Sequence, residues 1–148
     1  MTDGSVYAAV HAEWFDDLGT GAFVLALSDQ DHEAYMLEPW VRSEREAWVY
    51  ASIHASAAAF ELLPDLEPER LVVVGDRPDL SQLVRMTWPG RLGEALAIRD
   101  ARWPGIRHKC RRFTDRQQLR AMLREYAEVE TLKVNPDDGV YDNTKENK

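Results

Sequence analysis

The run Leu71-Val72-Val73-Val74-Gly75-Asp76 constrains this fold more than any other stretch. Four branched apolar residues in succession leave no polar face, so the run predicts a strand covered on both sides, as strands of a parallel sheet are. The closing glycine and carboxylate put Asp76 at the strand's C-terminal end, where α/β sheets present their chemistry. Gly75-Asp76-Arg77-Pro78 reads equally well as a plain strand-to-helix turn.

The residues before that run predict a meander. Val6 to Trp14 reads as a strand with Tyr7, His11 and Glu13 on one face and Val6, Val10 and Trp14 on the other. Gly21 to Leu27 and His32 to Glu38 read as its antiparallel successors. Ser43-Glu44-Arg45-Glu46 is a capping box that opens a long helix to about Leu63, with small residues such as Ala47, Ala51 and Ala55 along one side. After Asp76 come a helix from about Asp79 to Met86 and two related turns, Trp88-Pro89-Gly90-Arg91 and Trp103-Pro104-Gly105-Ile106-Arg107. Thr114 caps a further helix with Leu119, Met122, Leu123 and Tyr126 inward and Arg116, Arg120 and Arg124 on an outer stripe. Val129 to Val134 reads as a last strand, and 135–148 as a polar tail. The whole, residues 1–148, is predicted to be one domain.

Composition narrows the function. No apolar run approaches the roughly 20 residues of a membrane helix, and the N-terminus suggests no cleavable leader. Cys110 is the only cysteine, so a cytoplasmic setting is the default and cysteine-based zinc sites are excluded. The net charge of −8 argues against polyanion binding by the whole surface. The stretch 99–124 runs the other way, with nine Arg/Lys against Asp100 and Asp115. Arginines beside Trp88 and Trp103 offer phosphate contacts together with a stacking surface. The same residues also fit a solvated helix face and turns anchored in the core. No Walker loop, dinucleotide fingerprint or zinc motif is present.

In order and in several local features the chain resembles the ribonuclease H-like superfamily. Gly19-Thr20-Gly21-Ala22 is similar to the glycine-rich loop before that fold's second strand, and Arg45-Glu46-Ala47 to the glutamate context in the first turn of its long helix. Asp76 falls where its fourth strand ends in a carboxylate, and Trp88, Trp103 and Arg107 to Arg112 where a basic protrusion lies. Gly139, Asn143 and Asn147 keep the spacing of its last loop. The resemblance implies a mixed five-stranded α/β sheet, a three-strand antiparallel meander followed by parallel strands and flanked by helices. It also implies a metal-dependent endonuclease that cuts the RNA strand of RNA–DNA hybrids. In that chemistry four carboxylates hold two Mg²⁺ (or Mn²⁺) ions about 4 Å apart, one activating water and one stabilising the leaving oxygen.

Mapped residue by residue, the resemblance gives Glu46, Asp76, Glu13 and Asn147 as metal ligands. Glu46, Asp76, Glu13 and Asp137 become the catalytic set, and Trp88, Trp103, Arg107, Lys109, Arg111 and Arg112 the nucleic-acid surface. Two positions depart from the pattern. The first strand offers His11, with Glu13 two residues on, where an aspartate belongs, and Asn147 is an amide in place of the last carboxylate. The family's loop histidine falls near Asp137, and its final helix has no counterpart in this reading. Glu46 also has a complete structural role as half of the capping box. Two functions follow: a hybrid-cutting nuclease with altered ligands, or a non-catalytic nucleic-acid- or protein-binding module on the same scaffold.

Overall fold

A computed structural model describes residues 4–28 and 31–134, with the backbone alone for Val134. Its strands are β1 (Val6–Phe15), β2 (Thr20–Leu27), β3 (Glu33–Met36), β4 (Leu71–Gly75) and β5 (Arg107–Cys110). Its helices are α1 (Glu44–Leu62), α2 (Leu80–Leu83), α3 (Gly90–Arg102) and α4 (Arg116–Val134), with a 3-10 turn at Pro68–Arg70. The sheet order is β3-β2-β1-β4-β5. β1 pairs antiparallel with β2 and β2 with β3, whereas β4 lies parallel to β1 and β5 parallel to β4.

The apolar run becomes β4, buried along its whole length. It sits between β1 and β5, so each edge is paired, and Leu71 and Val73 join the larger core under α1. That core takes Val10, Phe23, Leu25 and Trp48, and α3 adds Leu92 and Leu96. The opposite face carries a smaller cluster in which Phe15, Ala22 and Val24 meet Leu119, Leu123 and Ala127 of α4.

The alanine side of α1 is buried as its sequence predicts at Ala47, Ala51 and Ala55, and Ala59 is fully covered as well. Ser52 and Ser56 are also buried there, and their hydroxyls are satisfied by the carbonyls of Trp48 (2.9 Å) and Ser52 (2.8 Å). Gly75 lets α1 close on the sheet. A Cβ at that position would lie 2.6 Å from Cζ3 of Trp48, so only glycine leaves room for the indole across the end of β4.

The second half of the chain departs from its sequence reading. The fifth strand is the basic segment Arg107–Cys110, and Val129 to Val134 continue a 19-residue helix, α4. The segment between the two Trp-Pro-Gly turns is helix as well, with Leu92, Leu96 and Arg99 buried at spacings of four and three. The helix expected over 79–86 shrinks to one turn, α2. A helix therefore does follow the fifth strand, and it is α4.

Candidate functional site: a carboxylate cleft closed by arginines

The C-terminal ends of β1 and β4 open into a cleft of about 710 Å³ that also takes the first turn of α1 and the start of α4. The register explains the meeting of β1 and β4. Val10 stands opposite Gly75, so the next step places His11 beside Asp76. Alternation puts His11 and Glu13 on one face, as the sequence predicts, and α4 meets that face through Arg120.

His11 is 2% exposed and Glu13 8%. Their side chains are joined, His11 Nε2 to Glu13 Oε2 at 2.6 Å. A carboxylate only accepts, so the imidazole proton on Nε2 points at Glu13, and the buried Nδ1 has no hydrogen-bond partner among the described residues. The ring is wedged between Trp48 (edge-on, centroids 5.6 Å apart) and Phe113 (6.3 Å). The second oxygen of Glu13 accepts from Arg120 Nη1 at 2.9 Å.

Asp76 is engaged from two sides. Its Oδ2 accepts the backbone N–H of Phe113 at 3.1 Å and lies 4.0 Å from Arg116 Nη1. On the opposite wall Arg77 bonds Glu44 and, through Nε, Asp79 Oδ1 at 2.7 Å. Burial pulls the Arg77 guanidinium down, but those two carboxylates outweigh it and raise its pKa above the ordinary value. Further along α4, Arg124 grips both oxygens of Asp17 at 2.8 and 2.6 Å and also bonds Glu128. Those bonds hold Asp17 below the usual carboxylate range and push Arg124 up. The arginine stripe of α4 is thus more than a solvated face: each of its three members, though Arg116 and Arg120 stay exposed, meets a carboxylate at this end of the sheet.

The sequence-predicted ligands are only partly gathered here. Asp76 and Glu13 line the cleft. Glu46 does not, because its Oε1 caps the N-terminus of α1 by accepting from the backbone N–H of Arg42 at 2.7 Å, while its own N–H bonds Ser43 Oγ at 3.2 Å. Glu44 takes the cleft side of that first turn. It shares its helical face with Trp48, whose Nε1 donates to Glu44 Oε2 at 3.0 Å. Asp137 and Asn147 lie outside the described residues, and in sequence they follow α4 rather than the fifth strand.

The described residues do not fit a pair of divalent ions. Mg²⁺ requires unencumbered anionic oxygens at about 2.0–2.1 Å. Here an imidazole stands at the first-strand position, each carboxylate has a guanidinium group beside it, and no group of three or more His, Cys, Asp or Glu among the described residues can hold an ion.

The predicted nucleic-acid residues divide into two groups. Trp103 stacks on Phe60 with centroids 4.7 Å apart, and Trp88 is half-buried with its Nε1 donating to the carbonyl of Leu83 at 2.8 Å. Both rings pack against the larger core. Arg107, Lys109, Arg111 and Arg112 are all exposed, along β5 and the loop after it. Sequence reasoning missed Glu44, Arg77 and Asp79, although the Glu44–Trp48 spacing marks the inward side of the first turn.

Among solved structures, a ribonuclease H1 isolated from compost by a metagenomic approach matches this chain with a TM-score of 0.61 at 13% identity. The match covers 86% of this chain and 98% of that one. At this identity the likeness shows the fold, which is ribonuclease H-like. No protein-family model and no curated protein matches the sequence.

Proposed function

We propose that this ribonuclease H-like chain is a non-catalytic nucleic-acid-binding module. The observation that carries the reading is the pairing of Glu13, Asp76 and Glu44 with Arg120, Arg116 and Arg77. A nuclease of this fold needs those oxygens free for cations, whereas here the chain supplies the cations itself. Removing an arginine to admit a metal still leaves the His11 imidazole, whose Nε2–H is held by Glu13, where a carboxylate would be needed.

The nucleic-acid part of the reading rests on the basic edge. Arg107, Lys109, Arg111 and Arg112 form an exposed cationic strip on a protein whose remaining surface is acidic. Such a strip selects one face for a phosphate backbone. Its ligand in this reading is RNA or an RNA–DNA hybrid. The hybrid-cutting alternative keeps one observation in its favour. The side chains of Arg116 and Arg120 are 63% and 64% exposed, so their hold on the carboxylates is screened and weak.

The test is fluorescence anisotropy with a labelled hybrid in chelator, alongside gel assays of cleavage in Mg²⁺ and in Mn²⁺. The expected result is binding that needs no metal and a hybrid that stays intact. Cleavage that disappears in Asp76→Asn would overturn the reading in favour of the nuclease.

A further inference from the structure

A second concave site lies away from the carboxylate cleft, and the acidic total of the chain gives no reason to expect it. It is a cavity of about 570 Å³ framed by α2 and the residues after it, the end of α3, and β5. That size suits a small-molecule ligand. The residues that line it include four basic ones, Arg85, Arg99, Arg107 and Lys109, against a single acid, Asp100.

Arg99 anchors the site. It is 4% exposed, and an arginine at such depth needs fixed partners. Nε and Nη2 both reach Asp100 Oδ1, at 3.0 and 2.8 Å, and Nη1 meets Ser56 Oγ at 3.3 Å and His108 Nε2 at 2.9 Å. Arginine has no lone pair to offer, so His108 Nε2 is the acceptor and the ring proton belongs on Nδ1. Burial, with Arg99 and Arg85 nearby, holds the His108 imidazole down at about 3, so the ring is neutral near pH 7.

Asp100 balances one of the four cations. Arg85 bonds only Ser81, through the main-chain carbonyl and Oγ, and Arg107 bonds Ser5 Oγ. Neither contact cancels charge. The Lys109 side chain makes no hydrogen bond or ion pair among the described residues. An excess of three positive charges therefore borders one cavity, and like charges crowd together at a cost unless an anion joins them.

We propose that this cavity is an anion site that takes a phosphoryl group, with Arg85 and Lys109 as its ligands and the buried Arg99 adding positive charge behind them. A doubly charged phosphate monoester matches the excess better than a carboxylate does, and the remaining volume accommodates the group that carries it. The reading of β5 as a nucleic-acid face enters only in the source of that phosphate, a nucleic-acid chain or a free nucleotide.

The experiment uses the full chain at low ionic strength. Inorganic phosphate, a nucleoside 5′-monophosphate and a 5′-phosphorylated oligonucleotide are titrated separately, with the His108 ring resonance and the heat of binding as readouts. Arg85→Gln/Lys109→Gln and Arg111→Ala/Arg112→Ala are compared with the parent. All four side chains are exposed, so the fold is kept, and the buried Arg99 stays in place. The expected result is saturable phosphate binding that weakens by about tenfold or more in the first variant and by less than about twofold in the second. A nucleotide that binds as tightly as the oligonucleotide identifies the free ligand as the source; a tighter oligonucleotide identifies the chain. No saturable phosphate binding, or binding unchanged in Arg85→Gln/Lys109→Gln, overturns the site even if the oligonucleotide still binds through Arg111 and Arg112. Phosphate binding without oligonucleotide binding removes the nucleic-acid function and leaves the pocket standing.

Discussion

Gly75 and Trp48 show how single residues set the site. The indole crosses the end of β4 because no Cβ blocks it, and it then supports the His11 ring and donates to Glu44. Gly75→Ala forces a methyl to 2.6 Å from that ring in a packed core. We predict a loss of about 1–3 kcal/mol in urea unfolding. His108 carries a second prediction. Its pKa falls from 6.5 to about 3 on folding, so at mildly acid pH the unfolded chain binds a proton that the folded one refuses. The stability that follows is complete above about pH 6.5 and declines as pH drops toward 3, by up to about 1.4 kcal/mol per unit. Denaturant titrations at pH 7 and pH 4.5 should show that decline, and His108→Gln should flatten it. At this scale the sequence was legible where alternation rules: the shared face of His11 and Glu13 follows from period two alone. The choice between Glu44 and Glu46 was not, because a capping glutamate and a ligand glutamate occupy the same few residues. Only the contact with Trp48 separates them.

Among elements, the first half of the chain is legible because its patterns are locally unambiguous. A capping box opens α1, alternating residues form β1, and a run of branched residues becomes β4. The second half misleads because tertiary pairing overrides propensity. Arg107-His108-Lys109-Cys110 has no apolar face, yet it forms β5 by pairing with the buried β4. Val129 and Leu132 suggest a strand, yet they sit exposed on α4. The candidate site inherits this error, since moving the fifth strand puts the arginines of α4 beside the cleft. Two substitutions test the helix assignment by urea unfolding. Leu123→Ala removes a fully buried side chain from the smaller core and should cost about 2–5 kcal/mol. Leu132→Ala should change stability by less than about 0.5 kcal/mol, because that side chain is largely in water. A large loss at Leu132 would contradict α4 as described.

For the whole molecule, charge placement is the organising fact. The arginines of α4 and of β5 with the loop after it take two tasks: the first lie beside the carboxylates at one end of the sheet, and the second remain exposed at its edge. Their number was plain in the sequence. Their division was not, because it depends on which element follows which. Binding of an oligonucleotide to the β5 edge should therefore weaken with salt, and Arg111→Ala/Arg112→Ala should lower the logarithmic slope by roughly 1–2. The central claim, that this ribonuclease H-like fold has exchanged its metal centre for ion pairs, is tested most directly by calorimetric titration of the full chain. Mg²⁺ and Mn²⁺ are titrated in turn, with Asp76→Asn as the control. No saturable binding below millimolar concentration is expected in either protein. Sub-millimolar binding that Asp76→Asn abolishes would contradict that claim.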